Sequence, residues 1–249
     1  MHKWGRLTWR SLWLGAELLL IGLRFALLFL RTLGRPSTHQ RAIGLHQGGR
    51  RVLRTFVDHV EVVGPQPTRG LLVSNHLSYL DILVLSSRSP CVFVSKLEVK
   101  AWPVFGLFAQ LGGTVFVQRE RRGHVGEISA RIHALLDAGE LVILFPEGTS
   151  SGGETVLPFK SSLLEPATGQ KHPIFAAGID YALTDGVVAD DVCYWRDMTF
   201  LAHFMNLLRK RFVQARVCYS EIQQPAADRK ELAKQLHDEV LRLKSSAGR

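Results

Sequence analysis

The chain has 249 residues, enough for one domain with an appendage, and 46% hydrophobic with 21% charged residues is a globular composition that excludes disorder and collagen-like repeats. The three cysteines, Cys91, Cys193 and Cys218, stand far apart with no CxxC, which argues against a disulfide scaffold or a cysteine zinc site. Net charge is +9, and it is not evenly spread: residues 1–54 hold ten Lys/Arg and the single acid Glu17, whereas residues 55–249 are balanced.

A basic head on a neutral body fits nucleic acid or an anionic membrane. The content of the head decides. Residues 12–30 (LWLGAELLLIGLRFALLFL) carry only Glu17 and Arg24 as charges. As a helix this run is roughly 28 Å long at about 1.5 Å per residue, close to a bilayer core. Nucleic-acid arms lack such a run, so no nucleic-acid partner is expected. Arg10, Glu17, Arg24 and Arg31 recur every seven residues and fall along one helix side. That stripe suits a helix lying in the membrane interface, with its charges toward water or protein, as well as a single spanning anchor. Trp4, Trp9 and Trp13 resemble an interfacial aromatic belt. A cleaved signal peptide fits poorly, because charges interrupt the apolar run and no A-x-A site follows.

Residues 34–51 are polar, basic and glycine-bearing, and read as a linker or a second short amphipathic piece. The expected division is an anchoring segment over 1–51 and a folded domain over 52–249. Strands are predicted at 52–63, 71–74, 91–95, 114–117, 141–145, 173–179 and 213–219. Between them come a turn at 64–70, a helix start at 78–86, an interrupted helix at 97–111, a clear amphipathic helix at 123–138 and a terminal one at 229–243. Alternation of this kind predicts an α/β fold: a mixed, largely parallel central sheet flanked by helices, preceded by the membrane-associated helical segment. The aromatic and Met-bearing stretch 195–208 reads as core, with a groove for an apolar chain or a membrane contact as the second reading. None of the ten histidines stands in an H-x₃₋₅-H or HExxH pattern, so no metal is assigned.

Three segments are unusual for a plain core. Asn75-His76-Leu77-Ser78-Tyr79-Leu80-Asp81 follows a buried strand and enters a helix. A turn there can bring the Asp81 carboxylate to the Nδ1–H of His76, leaving Nε2 free as a base. Alone, the spacing also fits a capping aspartate and a buried histidine. Gly113-Thr114-Val115-Phe116-Val117-Gln118-Arg119 is a strand ending in a cation, able to fork onto a phosphate or carboxylate, or to sit in a solvated basic loop. Phe145-Pro146-Glu147-Gly148-Thr149-Ser150 ends another apolar strand in glycine and hydroxyl residues, which suits close approach of backbone N–H groups to a ligand or a simple hairpin.

In this order the segments resemble the glycerolipid acyltransferases typified by 1-acylglycerol-3-phosphate acyltransferase. NHLSYLD (75–81), GTVFVQR (113–119), FPEGTS (145–150) and HPIFAAGI (172–179) match that family's NHxxxxD, GxxFxxR, FPEGT and proline-bearing strand, and SKLE (95–98) with WPVFG (102–106) is similar to the segment between its first two motifs. The resemblance spans about residues 52–220. It implies acyl transfer from a thioester, acyl-CoA or acyl carrier protein, to a lysolipid hydroxyl, with no bound cofactor. His76 is then the general base and Asp81 its orienting partner. Asn75, Lys96, Arg119, Glu147, Gly148 and Thr149 are implied as substrate-binding residues, Arg119 on the acceptor's anionic head. No enzyme nucleophile is needed, in keeping with the lack of GxSxG. Many phosphate-using members read EGTR where this chain has Ser150. EGTSS is similar to members that acylate lyso-ornithine lipid, but lysophosphatidate, the commonest acceptor in the family, is the first expected acceptor and lyso-ornithine lipid the second, with a non-catalytic lipid-binding relative as a further alternative. Membrane lipids are expected partners, and the catalytic domain is expected on the cytoplasmic side.

Overall fold

The structure, a computed structural model, describes residues 3–102, 104–117, 124–168 and 172–245. The chain starts with α1 (Lys3–Arg31), one unbroken helix. It carries no proline and is rich in leucine, a good helix former. It stops where Leu33 and Gly34 take positive φ (52° and 80°) and Gly34 N–H donates to the Phe29 carbonyl at 2.7 Å. Helix α2 (Thr38–Leu53) follows at once. Ser37 opens it with a capping box: Gln40 N–H donates to Ser37 Oγ (3.2 Å), and Ser37 N–H donates to Gln40 Oε1 (2.8 Å). Residues 34–51 are thus mostly helix, the amphipathic alternative rather than the linker, and α2 runs across the 51/52 boundary.

The strand predicted from residue 52 begins later. Val52 and Leu53 complete the buried face of α2, and β1 is Val57–Val63. Then come β2 (Gly70–Ser74), α3 (Leu80–Ser86), β3 (Val92–Lys96), a 3₁₀ turn (Leu97–Ala101), α4 (Phe105–Leu111), β4 (Val115–Val117), α5 (His124–Asp137) and β5 (Leu141–Leu144). A second 3₁₀ stretch (Ser161–Ala167) leads to β6 (Ile174–Ala182), α6 (Val188–Asp191), α7 (Phe200–Leu207), β7 (Val213–Glu221) and α8 (Arg229–Ser245).

Among the described residues the strands form one seven-stranded sheet in the order β1-β7-β6-β2-β5-β3-β4. Every pairing is parallel except β6 with β7. This is the mixed, largely parallel sheet expected. Side chains alternate across it. Leu72, Ile143, Ala177 and Val217 face the layer that contains α1, α2, α3 and α7. Leu71, Val73, Val142, Leu144 and Ile174 face the layer of α5 and α8. Strands buried on both faces read as near-continuous apolar runs, as LVIL at 141–144 does.

Helix α1 has two faces. Leu7, Leu14, Ile21 and Phe25 are buried, together with Glu17. Trp9, Trp13, Leu19, Leu23, Leu27 and Leu30 are exposed. The first half of the charge stripe turns toward protein: Arg10 donates to the Lys210 carbonyl at 2.6 Å, and Arg51 of α2 forks onto Glu17, whereas Arg24 and Arg31 are exposed. Arg24 and Arg31 line a groove that α1 shares with Gln40 and Gln47 of α2. Gly49 lets α2 close on α3, since a Cβ there would stand 2.3 Å from Ser86 Oγ. By length and composition α1 could cross a membrane.

Candidate active site

Four adjacent parallel strands, β2, β5, β3 and β4, end at one edge of the sheet. Loops leaving the carboxyl ends of parallel strands are where such sheets hold ligands. The Asn75–His76 turn leaves β2, Phe145–Gly148 leaves β5, and Lys96 closes β3. Topology therefore gathers motifs separated by some 70 residues of sequence. Arg119, two residues past the end of β4, lies outside the described residues.

His76 and Asp81 meet as the sequence predicts. His76 Nδ1 is 2.8 Å from Asp81 Oδ2, with the imidazole 23% exposed and the carboxylate fully buried. The same Oδ2 accepts the backbone N–H groups of Leu77 (2.6 Å) and Ser78 (3.0 Å), so Asp81, in the first turn of α3, also fixes the turn that carries His76. Capping and orienting roles coincide in one carboxylate. Tyr181 of β6 donates from its hydroxyl to the other oxygen, Oδ1, at 2.7 Å. The imidazole stacks on Phe145 (centroids 4.2 Å apart, planes 20°), which fixes the ring plane from below.

Glu147 is almost wholly buried. Its Oε1 accepts the His76 N–H (2.7 Å) and its Oε2 the Leu157 N–H (3.0 Å). Burial pushes its carboxyl above the ordinary range, and the two backbone donors work against that. Asn75 is also buried, and its amide makes two bonds to the backbone of Ile179: Nδ2 to O (2.9 Å) and N–H to Oδ1 (2.7 Å). Both side chains are occupied in clamping the turn between β2, β5 and β6. Gly148 takes φ 73° and so turns the chain sharply after Glu147.

His76, Lys96, Gly148 and Thr149 line one open cleft of about 310 Å³. Asn75, Asp81 and Glu147 lie beneath it. Trp195 and Arg196, in the stretch read first as core and second as a groove or membrane contact, line the cleft as well, with the Arg196 guanidinium 3.8 Å from the centre of the Trp195 ring. The aromatic content of that stretch was the signal for them. Ser150 donates its hydroxyl to the Tyr194 carbonyl, and Tyr194 N–H donates to Leu77 O at 2.8 Å, so the segment around 194 is tied to both motif loops. Tyr79 forms the cleft's inner wall and meets Phe105 and Phe200 edge-on or tilted (5.9 and 5.4 Å). Those two rings border a second, almost purely apolar cavity of about 320 Å³ between α1, α2, α4 and α7.

The arrangement offers a partly exposed imidazole base with a buried orienting carboxylate, in an open cleft, with an apolar cavity bordered by Phe105 and Phe200 nearby. The family model described as Acyltransferase matches residues 59–180. The chain is 35% identical over 212 residues to the lyso-ornithine lipid O-acyltransferase of Brucella abortus, spanning 79% of each protein. The chain belongs to the glycerolipid acyltransferase family. This acyltransferase is also 36% identical over 151 residues to the 1-acyl-sn-glycerol-3-phosphate acyltransferase of Neisseria meningitidis, covering 59% of this chain and 58% of that one. In fold the acyltransferase is similar to the crystal structure of the 1-acyl-sn-glycerophosphate acyltransferase of Thermotoga maritima, with a TM-score of 0.65 at 19% identity over 97% of this chain and 98% of that one.

Proposed function

We propose that the acyltransferase moves a fatty acyl group from a thioester, acyl-CoA or acyl carrier protein, to the free hydroxyl of a lysolipid, with His76 as general base. The observation that carries the reading is the His76–Asp81 contact at the edge of an open cleft. With Nδ1–H held by Asp81, the lone pair of Nε2 is available to the acceptor. The acceptor oxygen attacks the thioester carbonyl carbon as its proton passes to Nε2. The tetrahedral oxyanion collapses, the C–S bond breaks, and the leaving thiolate takes the proton back from the imidazolium. No covalent enzyme intermediate is involved. Asp81 stabilises the transient imidazolium, and general-base help of this kind is worth about 10²–10⁴ in rate. The apolar cavity behind Tyr79, Phe105 and Phe200 suits the acyl chain.

Two observations favour lyso-ornithine lipid as acceptor. The relative that spans 79% of the chain carries that name. Ser150 stands where a phosphate-gripping arginine would add a charge, and its hydroxyl is engaged with Tyr194 O. An amino-acid head group makes less demand for cations than a phosphate monoester. Lysophosphatidate is the second reading, carried by the Neisseria relative. Arg119 holds the acceptor head in either case, with Lys96, Gly148 and Thr149 completing the cleft wall.

The exposed apolar and tryptophan face of α1 suits the interfacial region of a bilayer, and the arginines of α1 and α2 suit anionic head groups. This reading docks the domain on the cytoplasmic face, beside its lipid substrates. An acceptor panel tests the function: purified protein in vesicles, one acyl-CoA, and lyso-ornithine lipid or lysophosphatidate. Faster acylation of lyso-ornithine lipid is expected. Faster acylation of lysophosphatidate reverses the acceptor assignment, and no acylation of either overturns the reading.

A further inference from the structure

The Asp81 carboxylate receives four donors from two parts of the fold, the turn after β2 and strand β6. Three converge on Oδ2: His76 Nδ1 and the N–H groups of Leu77 and Ser78. The fourth, Tyr181 OH, donates to Oδ1 at 2.7 Å. It reaches there from β6, 100 residues along the chain. Tyr181 is buried, held in register opposite Ala215 of β7, so its hydroxyl has a fixed position. Other titratable groups near Asp81 are Glu147 from the loop after β5, and Tyr79 and Cys193, which with Asp81 surround Tyr181. None of these has a hydrogen bond to Asp81 Oδ1 among the described contacts.

We propose that Tyr181 is a positioning residue that sets the strength of the His76 base through Asp81. A hydrogen bond to a carboxylate draws off part of its negative charge. By donating to Oδ1, Tyr181 limits how strongly Asp81 holds the imidazolium, and so keeps the imidazole able to accept and return a proton within one turnover. It also satisfies an oxygen that would otherwise be buried without a partner. Burial and the Asp81 charge both keep the phenol protonated, so it remains a donor across the working pH range. The inference rests on His76 acting as the base.

The test is the pH dependence of kcat/KM for acyl transfer, with the full-length protein in vesicles. In Tyr181→Phe the ring packing is kept and the donor is lost. The acid limb of the profile should move upward by about 0.5–1 pH unit, because a more basic Asp81 holds the imidazolium to higher pH. Site-specific replacement of Tyr181 by 3-fluorotyrosine, a stronger donor of nearly the same size, should move the limb the other way. A uniform loss at all pH values, with the limb unmoved in both variants, overturns the proposal and leaves Tyr181 as packing only. If Tyr181→Phe fails to fold, the fluorotyrosine result decides alone. His76→Ala is run beside them: retained activity there refutes the base assignment itself, whereas an inactive His76→Ala with an unmoved limb refutes only the role of Tyr181.

Discussion

Glu147 Oε1 accepts the backbone N–H of His76 at 2.7 Å, so the carboxylate of the FPEGT motif holds the main chain of the NHxxxxD motif. Its other oxygen holds Leu157 N–H. A glutamine has only one carbonyl oxygen, and its NH₂ group would face the second donor. Glu147→Gln should therefore fold yet lose about 10–100-fold in kcat, in line with roughly 1–3 kcal/mol for a buried donor left unpaired. Steady-state kinetics and a thermal melt on the same sample check this. Unchanged kcat would show that the clamp does not position His76.

The same residue gives a stability test. Burial raises the folded-state value of Glu147 above the unfolded one. Its contribution is then fullest below the ordinary carboxylate range and is lost as pH rises through the raised folded value. The melting-temperature difference, wild type minus Glu147→Gln, should be larger near pH 4 than near pH 7. A difference that grows toward neutral pH contradicts the sign.

Much of the fold was legible because its signals are local. The run LVIL, the amphipathic 123–138 segment and the turn GPQPTRG each name one element, and the structure places them within a few residues. Helix α2 is ambiguous in sequence between linker and helix, since its three glycines weigh against a helix. The S-x-x-Q capping signal at Ser37 and Gln40 was the stronger one. Of its last residues, Val52 is β-branched and reads as strand, but burial of Val52 and Leu53 holds both in the helix, which explains the late start of β1. The His76–Asp81 pairing was readable because five residues span one turn. Tyr181, Trp195 and Arg196 were not, because their relation to the site comes from strand order and loop packing.

Ser150→Arg is expected to shift acceptor preference. A guanidinium at the cleft rim adds a charge-assisted contact to a phosphate, and the ratio of kcat/KM for lysophosphatidate over lyso-ornithine lipid should rise by about tenfold or more. Side-by-side kinetics with both acceptors provide the measurement. A ratio unchanged or lowered would mean that position 150 does not face the acceptor head.

Membrane docking should depend on both faces of α1. Co-sedimentation with vesicles containing anionic lipid should weaken as salt rises, and weaken further in Arg24→Gln/Arg31→Gln. Replacing the exposed Trp9 and Trp13 with alanine should reduce binding at every salt concentration. Full binding by both variants would assign docking to another surface.

The most direct measurement of the central claim is acyl transfer by His76→Ala, followed as thiol release and as acylated lysolipid in the same reaction. The account predicts that both fall together by about 10²-fold or more while the melting temperature and lysolipid binding stay near wild type. Product formation at close to the wild-type rate would contradict it.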